Sequence, residues 1–460
     1  MSLDDKYRYM TETPVHRLVL RLAVPTIVSM MVTALYNVVD AAFVGHLSTE
    51  ATAGIGISFA YMTFIQAMGF FFGHGSGNFI SRALGAKQYD TAGQMAAVGF
   101  GTSFLIGLVA AIPCLIFLEP IAVLLGSPDA VVGETCNYLR FIVITTPFMM
   151  SALTLNNQLR LQGNARFAMI GIASGAVLNM LLDPLFIFGF RWGVSGASAA
   201  TAVSQFVSWC ILLWGTTRAD SVHILPRNFR PTLRCYNEIL HGGLPSLGRQ
   251  FFNFIAALSL NYAAAIFADP GCEASSVGAF AIVTRTMMFA FSIVLGFDQG
   301  FQPVAGFNYG AGLYTRVRDA YIFAIQVTTV LLCVVSAIGL LFAPDIIRLF
   351  RDEDPILVEI GARALRWQCV AFPLMGLATA TNMLFQNIRM TFKSTLLSIG
   401  RQGIFFLPAI FILPRFWGIH GVEMAQAVAD ICTFLLSLPY AIWIYRKLSV
   451  SSHERVRTGQ

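Results

Sequence analysis

The sequence predicts an all-α integral membrane protein with twelve transmembrane helices arranged as two six-helix lobes. Of its 460 residues, 56% are hydrophobic and 12% are charged, and the mean hydropathy is +0.68, whereas a soluble domain carries about 25% charged residues. Apolar runs of 20 or more residues recur along the chain, and each is long enough to cross ~30 Å of hydrocarbon as a helix. The second half of the chain also resembles the first, which predicts a repeated six-helix unit.

The twelve predicted spans follow one another with short connectors, so that neighbouring helices run antiparallel. They cover residues 18–45, 51–80, 92–118, 132–159, 166–189 and 194–217, and then 236–267, 276–304, 319–342, 358–388, 394–414 and 419–445. We therefore divide the chain into an N-lobe (1–217), a cytoplasmic connector (218–234), a C-lobe (235–450) and a cytoplasmic tail (451–460). We expect no signal peptide, because the first 17 residues, "MSLDDKYRYMTETPVHR", are polar and lack an apolar core.

Positive charge is divided unequally between the two sets of loops. Nineteen Lys and Arg residues fall on one side, and four fall on the other, namely Arg191, Arg348, Arg351 and Arg415. Because cytoplasmic loops are enriched in Lys and Arg, we expect both termini in the cytoplasm and the protein in the cell inner (plasma) membrane. The basic residues are spread among many loops and form no single patch, which argues against a nucleic-acid partner.

Three sequence matches indicate that the chain arose by duplication. "WGVSGASAATAV" (192–203) aligns with "WGIHGVEMAQAV" (417–428), "LGAKQY" (84–89) with "YGAGLY" (309–314), and "AVP" (23–25) with "GLP" (243–245). Six helices return the chain to the side on which it began, so the two repeats are parallel. Such repeats enclose a site near the middle of the bilayer and can rock around it. We therefore favour an alternating-access transporter over a channel or a receptor built by duplication.

Four of the 24 acidic residues lie well inside predicted spans, namely Asp40, Asp183, Asp298 and Asp430. A charge at the bilayer centre costs about 2.5–3.5 kcal/mol on insertion scales, so such residues normally face a cavity or a partner. In the C-lobe we interpret Asp298 and Asp430, together with Arg249, Arg285 and Arg401, mainly as structural charge pairs. Asp40 and Asp183 have no acidic counterparts in the second half, so titratable chemistry is concentrated in the N-lobe.

The two N-lobe acids are both accompanied by polar residues at helical spacing. Tyr36 and Asn37 precede Asp40 by four and three residues, and Asn179 precedes Asp183 by four, so each set shares one helix face. Pro184 should kink its helix and free the backbone carbonyl of Met180. A carboxylate, an amide and a free carbonyl together suit a proton or a cation. The alternative is that each aspartate is a buried hydrogen-bonding residue with a structural role.

Other polar residues of the N-lobe are candidates for the same site. Tyr138, Asn156, Asn157 and Gln162 lie on or just after the fourth predicted helix and Thr201 on the sixth, although hydroxyls and amides also serve as interhelical contacts. The eight cysteines form no C-x-x-C pair, so we predict no metal or redox site. The sequence contains neither H-E-x-x-H nor G-x-S-x-G, and we expect the protein not to be an enzyme. We predict no organic cofactor.

The first and fifth predicted helices, "VPTIVSMMVTALYNVVDAAFVGHLSTEATAGIGIS" and "LNMLLDPLFIF", resemble those of the multidrug and toxic compound extrusion (MATE) family. "GFQPVAGFNYGAG" (300–312) is typical of its bacterial branches. The resemblance covers nearly the whole chain and implies the MATE-like fold and cation-coupled efflux of drugs. It also implies an N-lobe cation site at Asp40, Asn179, Asp183 and Thr201, with Tyr36, Tyr138 and Asn157 nearby. Some branches carry C-lobe carboxylates that this chain lacks, since Asn253 stands near one of their positions, which favours coupling through the N-lobe.

These observations together predict a multidrug efflux antiporter, a monomer in the lipid bilayer, that exchanges small amphipathic organic cations for protons or sodium. Burial favours the protonated form of a carboxyl group, so Asp183 or Asp40 could take up the coupling proton, and sodium could bind at the same pair. Asn37 and a group of aromatic and Met side chains are candidates to line the substrate cavity, namely Phe148, Met149, Met287, Met288, Phe289 and Phe291. Packing in the apolar core is the alternative role for each of these side chains. A lipid-linked sugar or lipid flippase of the wider superfamily is the alternative function, for which the C-lobe arginines would bind a diphosphate.

Overall fold

The computed structural model describes residues 3–44, 47–218, 221–351 and 354–458, in which helices joined by short connectors are present and no strand occurs. In the first half the helices are α1 (Leu3–Glu12), α2 (Val15–Val44), α3 (Thr49–Gly85), α4 (Tyr89–Ile116), α5 (Leu118–Leu124), α6 (Val132–Leu161), α7 (Ala165–Pro184) and α8 (Gly193–Gly215). In the second half they are α9 (Leu233–Ile266), α10 (Glu273–Gly310), α11 (Tyr314–Leu341), α12 (Ala343–Arg348), α13 (Pro355–Ala371), α14 (Met375–Asn387), α15 (Thr391–Ile399), α16 (Leu407–Trp417) and α17 (Ile419–Thr458). Short π-helices follow α7 (Leu185–Gly189) and precede α16 (Gly400–Phe406), and 3₁₀ turns occupy Pro226–Asn228 and Phe372–Leu374.

Within the described residues, eleven helical stretches are long and apolar enough to cross a membrane, from Val15–Tyr36 to Ile419–Val450. The predicted span 236–267 is also helical, as α9, whose 34 residues reach about 50 Å at 1.5 Å per residue. It is less apolar than the others because Arg234, Glu238 and Arg249 interrupt it. The chain is therefore an all-α, multi-pass membrane protein, as the sequence predicted.

The chain folds as two compact units. Unit 1 comprises the residues up to Thr13 together with Arg21–Leu247, and unit 2 comprises Pro14–Leu20 and the residues from Gly248 onward. Helix α9 therefore contributes its first half to unit 1 and its second half to unit 2. The first residues of α2 are likewise part of unit 2, where His16 packs edge-on against Phe323 with ring centroids 4.6 Å apart.

Unit 1 is built around α6, which is buried along most of its length and packs against α3, α4 and α8. The "GHGSGN" stretch of α3 allows its neighbours to approach closely. A Cβ atom added to Gly75 would lie 2.4 Å from the carbonyl oxygen of Ile239 in α9, and one added to Gly73 would lie 2.9 Å from the Asn157 side chain. These glycines therefore serve helix packing.

Unit 2 has its own apolar core, to which helices α9 to α14, α16 and α17 all contribute buried side chains. A buried ion pair joins two of these helices: Arg363 of α13 donates to both carboxylate oxygens of Glu423 in α17, at 3.0–3.3 Å. The Glu423 side chain is fully buried, and His420 Nδ1 lies 3.1 Å from Glu423 Oε2. Glu423 was not among the predicted buried charges, although it lies in the repeat segment "WGIHGVEMAQAV".

Backbone geometry repeats between the two halves at the offset that the sequence matches predicted. Gly193 and Gly418 both adopt left-handed conformations, with φ of +55° and +54°. Three residues later, a Cβ on Gly196 would lie 2.7 Å from the Phe186 carbonyl group, and one on Gly421 would lie 2.4 Å from that of Leu413. Both glycines allow a helix to begin directly against the end of the helix before it. The predicted internal repeat is consistent with these matching turns.

Candidate functional site

Asn179, Asp183 and Thr201 form a buried hydrogen-bonded group in unit 1. The Asn179 side-chain amide donates to Asp183 Oδ1 at 3.2 Å and to the Thr201 hydroxyl oxygen at 3.3 Å. These side chains are 2%, 0% and 1% exposed. Helix α7 brings Asn179 and Asp183 together because they are one turn apart, and α8 adds Thr201 from the neighbouring helix.

The direction of these hydrogen bonds follows from the donors available. The Thr201 hydroxyl donates its hydrogen to the Ala197 carbonyl at 3.1 Å, so its oxygen accepts from Asn179. Both amide hydrogens of Asn179 are thereby used, and Asp183 Oδ1 is an acceptor. Asn179 Oδ1 is buried and accepts no hydrogen bond from the described residues, which leaves a carbonyl-type oxygen available to a cation or a donor.

The helix changes geometry directly beside this group. Helix α7 ends at Pro184, and the chain continues as the π-helix Leu185–Gly189. Proline removes a backbone donor and crowds the preceding turn, and π-helical turns are rare and frequent at functional sites. In unit 2 the equivalent segment also contains a π-helix, Gly400–Phe406, next to Pro408, but no carboxylate.

The other predicted members of the N-lobe site belong to helices α2 and α6. Tyr36 is half-buried on α2, and Tyr138 is 3% exposed on α6 with its hydroxyl 3.7 Å from the Met62 sulfur. Asn157 lies further along α6, where it donates to the Leu153 carbonyl at 2.8 Å and accepts from Arg160 at 2.7 Å. Asp40 and Asn37 belong to α2, but their side chains lie outside the described part of the structure.

Arg160 and His74 form a buried polar cluster that the sequence analysis did not anticipate. Arg160 Nη2 lies 3.2 Å from His74 Nε2, and His74 Nδ1 lies 3.1 Å from the Ser246 hydroxyl. All three side chains are at most 2% exposed. The cluster connects α3, α6 and the first half of α9, and the only sequence signal for it was the unusual "GHG" inside an apolar helix.

The C-lobe charges are only partly arranged as predicted. Arg401 donates to both oxygens of Asp430, at 2.8 and 3.2 Å, and Gln426 donates to the same carboxylate at 2.8 Å. This pair confirms the structural interpretation for Arg401 and Asp430. For Asp298 the prediction of a charge pair is wrong, because this fully buried carboxyl group forms no ion pair with the described residues. Arg285 is exposed on α10 and Arg249 is half-buried on α9.

The residues predicted to line a substrate cavity are mostly packed inside their own unit. Met149 and Met287 are 7% and 9% exposed and belong to the apolar cores. Phe148 is half-buried in an aromatic cluster, with its ring 5.1 Å from Phe206 and 5.2 Å from Trp209. Met288 is 54% exposed, and the neighbouring Phe289 is 42% exposed.

Phe291 occupies a distinct position among these candidates. Its ring lies 4.7 Å from the Arg401 guanidinium group, and it packs against Phe372 at 5.9 Å. It therefore lies between the core of unit 2 and the Arg401–Asp430 ion pair. Among the described residues, no group of three or more His, Cys, Asp or Glu side chains is arranged to hold a metal ion.

A multi-pass helical protein with duplicated six-helix halves and buried polar residues inside its spans has the architecture of a membrane transporter. The family model MatE matches residues 25–185 and 250–412, one match in each half. The chain belongs to the MatE family of membrane transporters.

Several known proteins are similar along nearly their whole length. "Multidrug export protein MepA" of Staphylococcus haemolyticus is 24% identical over 94% of each chain. A solved structure described as the outward-facing conformation of a multidrug resistance MATE family transporter of the MOP superfamily is 26% identical, with a TM-score of 0.89 over 97% of this chain and 98% of that one. A Pyrococcus furiosus MOP superfamily transporter, whose reversed pocket polarity is described as suggesting a different function, is 26% identical, with a TM-score of 0.88 over 97% and 98%.

Proposed function

We propose that this chain is a secondary active multidrug efflux transporter that exchanges amphipathic, mostly cationic organic compounds for protons by alternating access. The observation that carries the proposal is the buried Asn179–Asp183–Thr201 group, in a chain whose relatives include a named multidrug export protein. The excess of Lys and Arg on one set of loops supports an inner (plasma) membrane protein with both termini in the cytoplasm. We further propose that it acts as a monomer, with no organic cofactor and no enzymatic step.

The hydrogen bonds of Asp183 suggest how a proton could change this group. Asn179 donates to Asp183 Oδ1, so a proton placed on that oxygen would meet the amide hydrogen and break the bond. Asn179 would keep its hydrogen bond to Thr201 and lose its hydrogen bond to Asp183, the residue directly before Pro184. The π-helix that begins at Leu185 is the adjoining irregular segment, and we propose that it rearranges when Asp183 is protonated.

Inward movement of the coupling ion provides the energy for export. One elementary charge that crosses the membrane gains about 2.3 kcal/mol per 100 mV. A gain of about 1.4 kcal/mol corresponds to a tenfold concentration ratio, so a single proton can sustain a substantial gradient of an exported compound. An organic cation suits such a transporter because carboxylates and aromatic faces both attract positive charge.

Sodium is the alternative coupling ion at the same place. Hard cations prefer oxygen ligands, and the buried Asn179 Oδ1 is one that the described residues leave available. The Asp183 carboxylate and the Thr201 hydroxyl are further oxygens of the same group. We favour protons because a buried carboxylate that accepts from an amide can be neutralised by protonation alone.

The lipid flippase alternative is less well supported by the arrangement of the C-lobe arginines. A diphosphate would need cationic side chains that are available to it, but Arg401 already donates to both oxygens of Asp430 and lies over the Phe291 ring. Arg285, which is exposed, and Arg249, which is half-buried, are the remaining candidates for an anionic head group. We therefore keep export of organic cations as the proposed function.

Uptake of a fluorescent organic cation into inverted vesicles, driven first by a pH gradient and then by a sodium gradient, tests the proposal. We expect the pH gradient to drive uptake and the sodium gradient alone to be ineffective; the reverse result would overturn proton coupling. Thr201→Val should slow uptake because it removes one partner of Asn179. Ser208→Ala is the matched control, since Ser208 is a buried α8 hydroxyl that binds the Gly171 carbonyl of α7 at 2.8 Å, two turns away.

A further inference from the structure

Asp298 of α10 is a fully buried carboxyl group in unit 2. Its exposure is 0%, and neither of its oxygens completes a hydrogen bond with the described residues. Its helix neighbours Phe297 and Phe301 are also buried, at 1% and 0%. An ionised carboxylate in such surroundings would lose its hydration without a compensating charge, which is very costly.

The charged and titratable residues on the elements around Asp298 are engaged elsewhere or distant along their helices. On α10 itself, Arg285 lies 13 residues away, about 20 Å along the helix. On α11, Arg316 donates to Asn308, Arg318 pairs with Asp319, and Tyr321 bonds to Thr381. On α12 and α13, Arg348 pairs with Asp345, and Arg363 pairs with Glu359 and Glu423.

The remaining helices around Asp298 contribute no charge next to it. Helix α14 contains no ionisable residue between Met375 and Asn387. The His16 ring contacts Phe323, which in turn contacts Phe297, so aromatic rings stand between His16 and this part of α10. Arg366 and Cys369 complete the ionisable residues of α13. No ion pair with Asp298 is formed by any of these described residues.

The Thr379 hydroxyl on α14 lies beside the Asp298 carboxyl group without completing a hydrogen bond. Thr379 donates its single hydroxyl hydrogen to the Met375 carbonyl at 3.0 Å. While the Thr379 hydroxyl keeps this bond to Met375, its oxygen can only accept from Asp298. In that arrangement a hydrogen bond between the two side chains needs Asp298 to supply the hydrogen, which a carboxylic acid can do and a carboxylate cannot.

The geometry points to Asp298 as a second proton-binding site, located in unit 2 and occupied by a proton in this conformation. The site differs from the Asp183 group, where an amide donor is in place and the carboxylate accepts. This inference rests on the proposed function for its role in transport, in which Asp298 would bind and release a second proton during each cycle. The occupancy of Asp298 by a proton, however, is a property of the resting protein and can be measured by itself.

Infrared spectroscopy of the full-length protein in liposomes, without substrate or gradient, tests this site directly. We expect the wild type at neutral pH to show a C=O stretching band of a protonated carboxyl group that is lost in Asp298→Asn. Identical spectra of the two proteins in this region would overturn the inference. Because no transport is measured, this outcome is independent of whether the chain exports drugs.

A second pair of variants covers the case in which Asp298→Asn fails to fold. Thr379→Val removes the acceptor beside Asp298 and should shift the carboxyl band to higher frequency. Thr381→Val is the matched control on the same helix, because Thr381 binds Tyr321, and it should leave the band in place. Equal spectra for both valine variants and the wild type would contradict the assignment.

In the transport assay, Asp298→Asn should lower the number of protons exchanged per substrate from two to one, and an unchanged number would exclude a role in the cycle.

Discussion

Asn179 donates its side-chain amide to Asp183 one helical turn away, at 3.2 Å, and both residues are at most 2% exposed inside a membrane-spanning segment. The same amide holds Thr201 of the next helix. Asn179 of α7 thus connects the buried Asp183 carboxylate to Thr201 of α8. A change in the charge of Asp183 can therefore affect both helices.

Replacement of Asn179 by Ala should slow drug/proton exchange by about tenfold or more. A hydrogen bond to a charged group is worth about 1.5–3 kcal/mol net, and the substitution also removes the hydrogen bond from Asn179 to Thr201. Exchange in proteoliposomes, normalised to the amount of inserted protein, measures the effect. An Asn179→Ala protein with the wild-type rate would show that the amide has only a structural role.

Disruption of the Arg401–Asp430 pair should destabilise the protein. Asp430 is 1% exposed and Arg401 donates to both of its oxygens, and loss of one partner of a buried pair typically costs about 3–5 kcal/mol. We expect Arg401→Met and Asp430→Leu each to lower the melting temperature in detergent. The double variant should recover part of the loss, since it leaves no uncompensated charge, and additive losses would argue against the pairing.

The helix junction at Gly421 should not tolerate a side chain. A Cβ atom there would lie 2.4 Å from the Leu413 carbonyl carbon, so Gly421→Ala must shift backbone and should strongly reduce the yield of folded protein. Gly56→Ala is the control, because nothing lies within 4 Å of that position and alanine favours a helix by about 1 kcal/mol over glycine. Size-exclusion profiles of the two variants make the comparison; equal profiles would mean that the junction can relax.

The cap of α13 should weaken in acid. Asp354 accepts from the backbone amides of Ile356 and Leu357 at 3.1 Å and from the Ser275 hydroxyl, and these bonds, Ser275 foremost, lower the pKa of Asp354 below its usual value. Because the folded state binds the proton less tightly than the unfolded state, the stabilisation is present above the unfolded pKa and is lost as the pH falls through the folded pKa. Asp354→Asn should therefore flatten the acid limb of the melting-temperature profile. A profile that keeps the wild-type slope would contradict this role.

The sequence was sufficient for much of the fold because membrane insertion imposes simple rules. Apolar length predicted the spans, and the matched glycines at 193 and 418 predicted the repeat that their nearly equal φ angles display. Helix α9 contains Arg234, Glu238 and Arg249, yet its predicted range of 236–267 lies within three residues of the observed Leu233–Ile266 at each end. The division of α9 after Leu247 between two units was not predictable, because it depends on tertiary packing and has no local sequence signal.

Helical periodicity could bring together only those members of the candidate site that share a helix, whereas Thr201 of α8 was expected there from the family resemblance. Asn179 and Asp183 are four residues apart, so helical periodicity alone placed them together. The contacts of Arg160 with His74, and of Ser246 with the same ring, join three helices that periodicity within one helix cannot relate. Asp298 was predicted to be paired because a lone charge in the membrane is costly, and the structure instead buries it without an ion pair among the described residues, beside a Thr379 hydroxyl that donates to Met375.

The most direct test of the N-lobe mechanism is drug/proton exchange by Asp183→Asn and Asp40→Asn proteins in liposomes under an imposed pH gradient. Asparagine keeps the size of the side chain but cannot take up a proton. We predict that Asp183→Asn abolishes exchange while the protein still binds a fluorescent substrate. If both variants exchange drug for protons at the wild-type rate, the coupling site is not in the N-lobe.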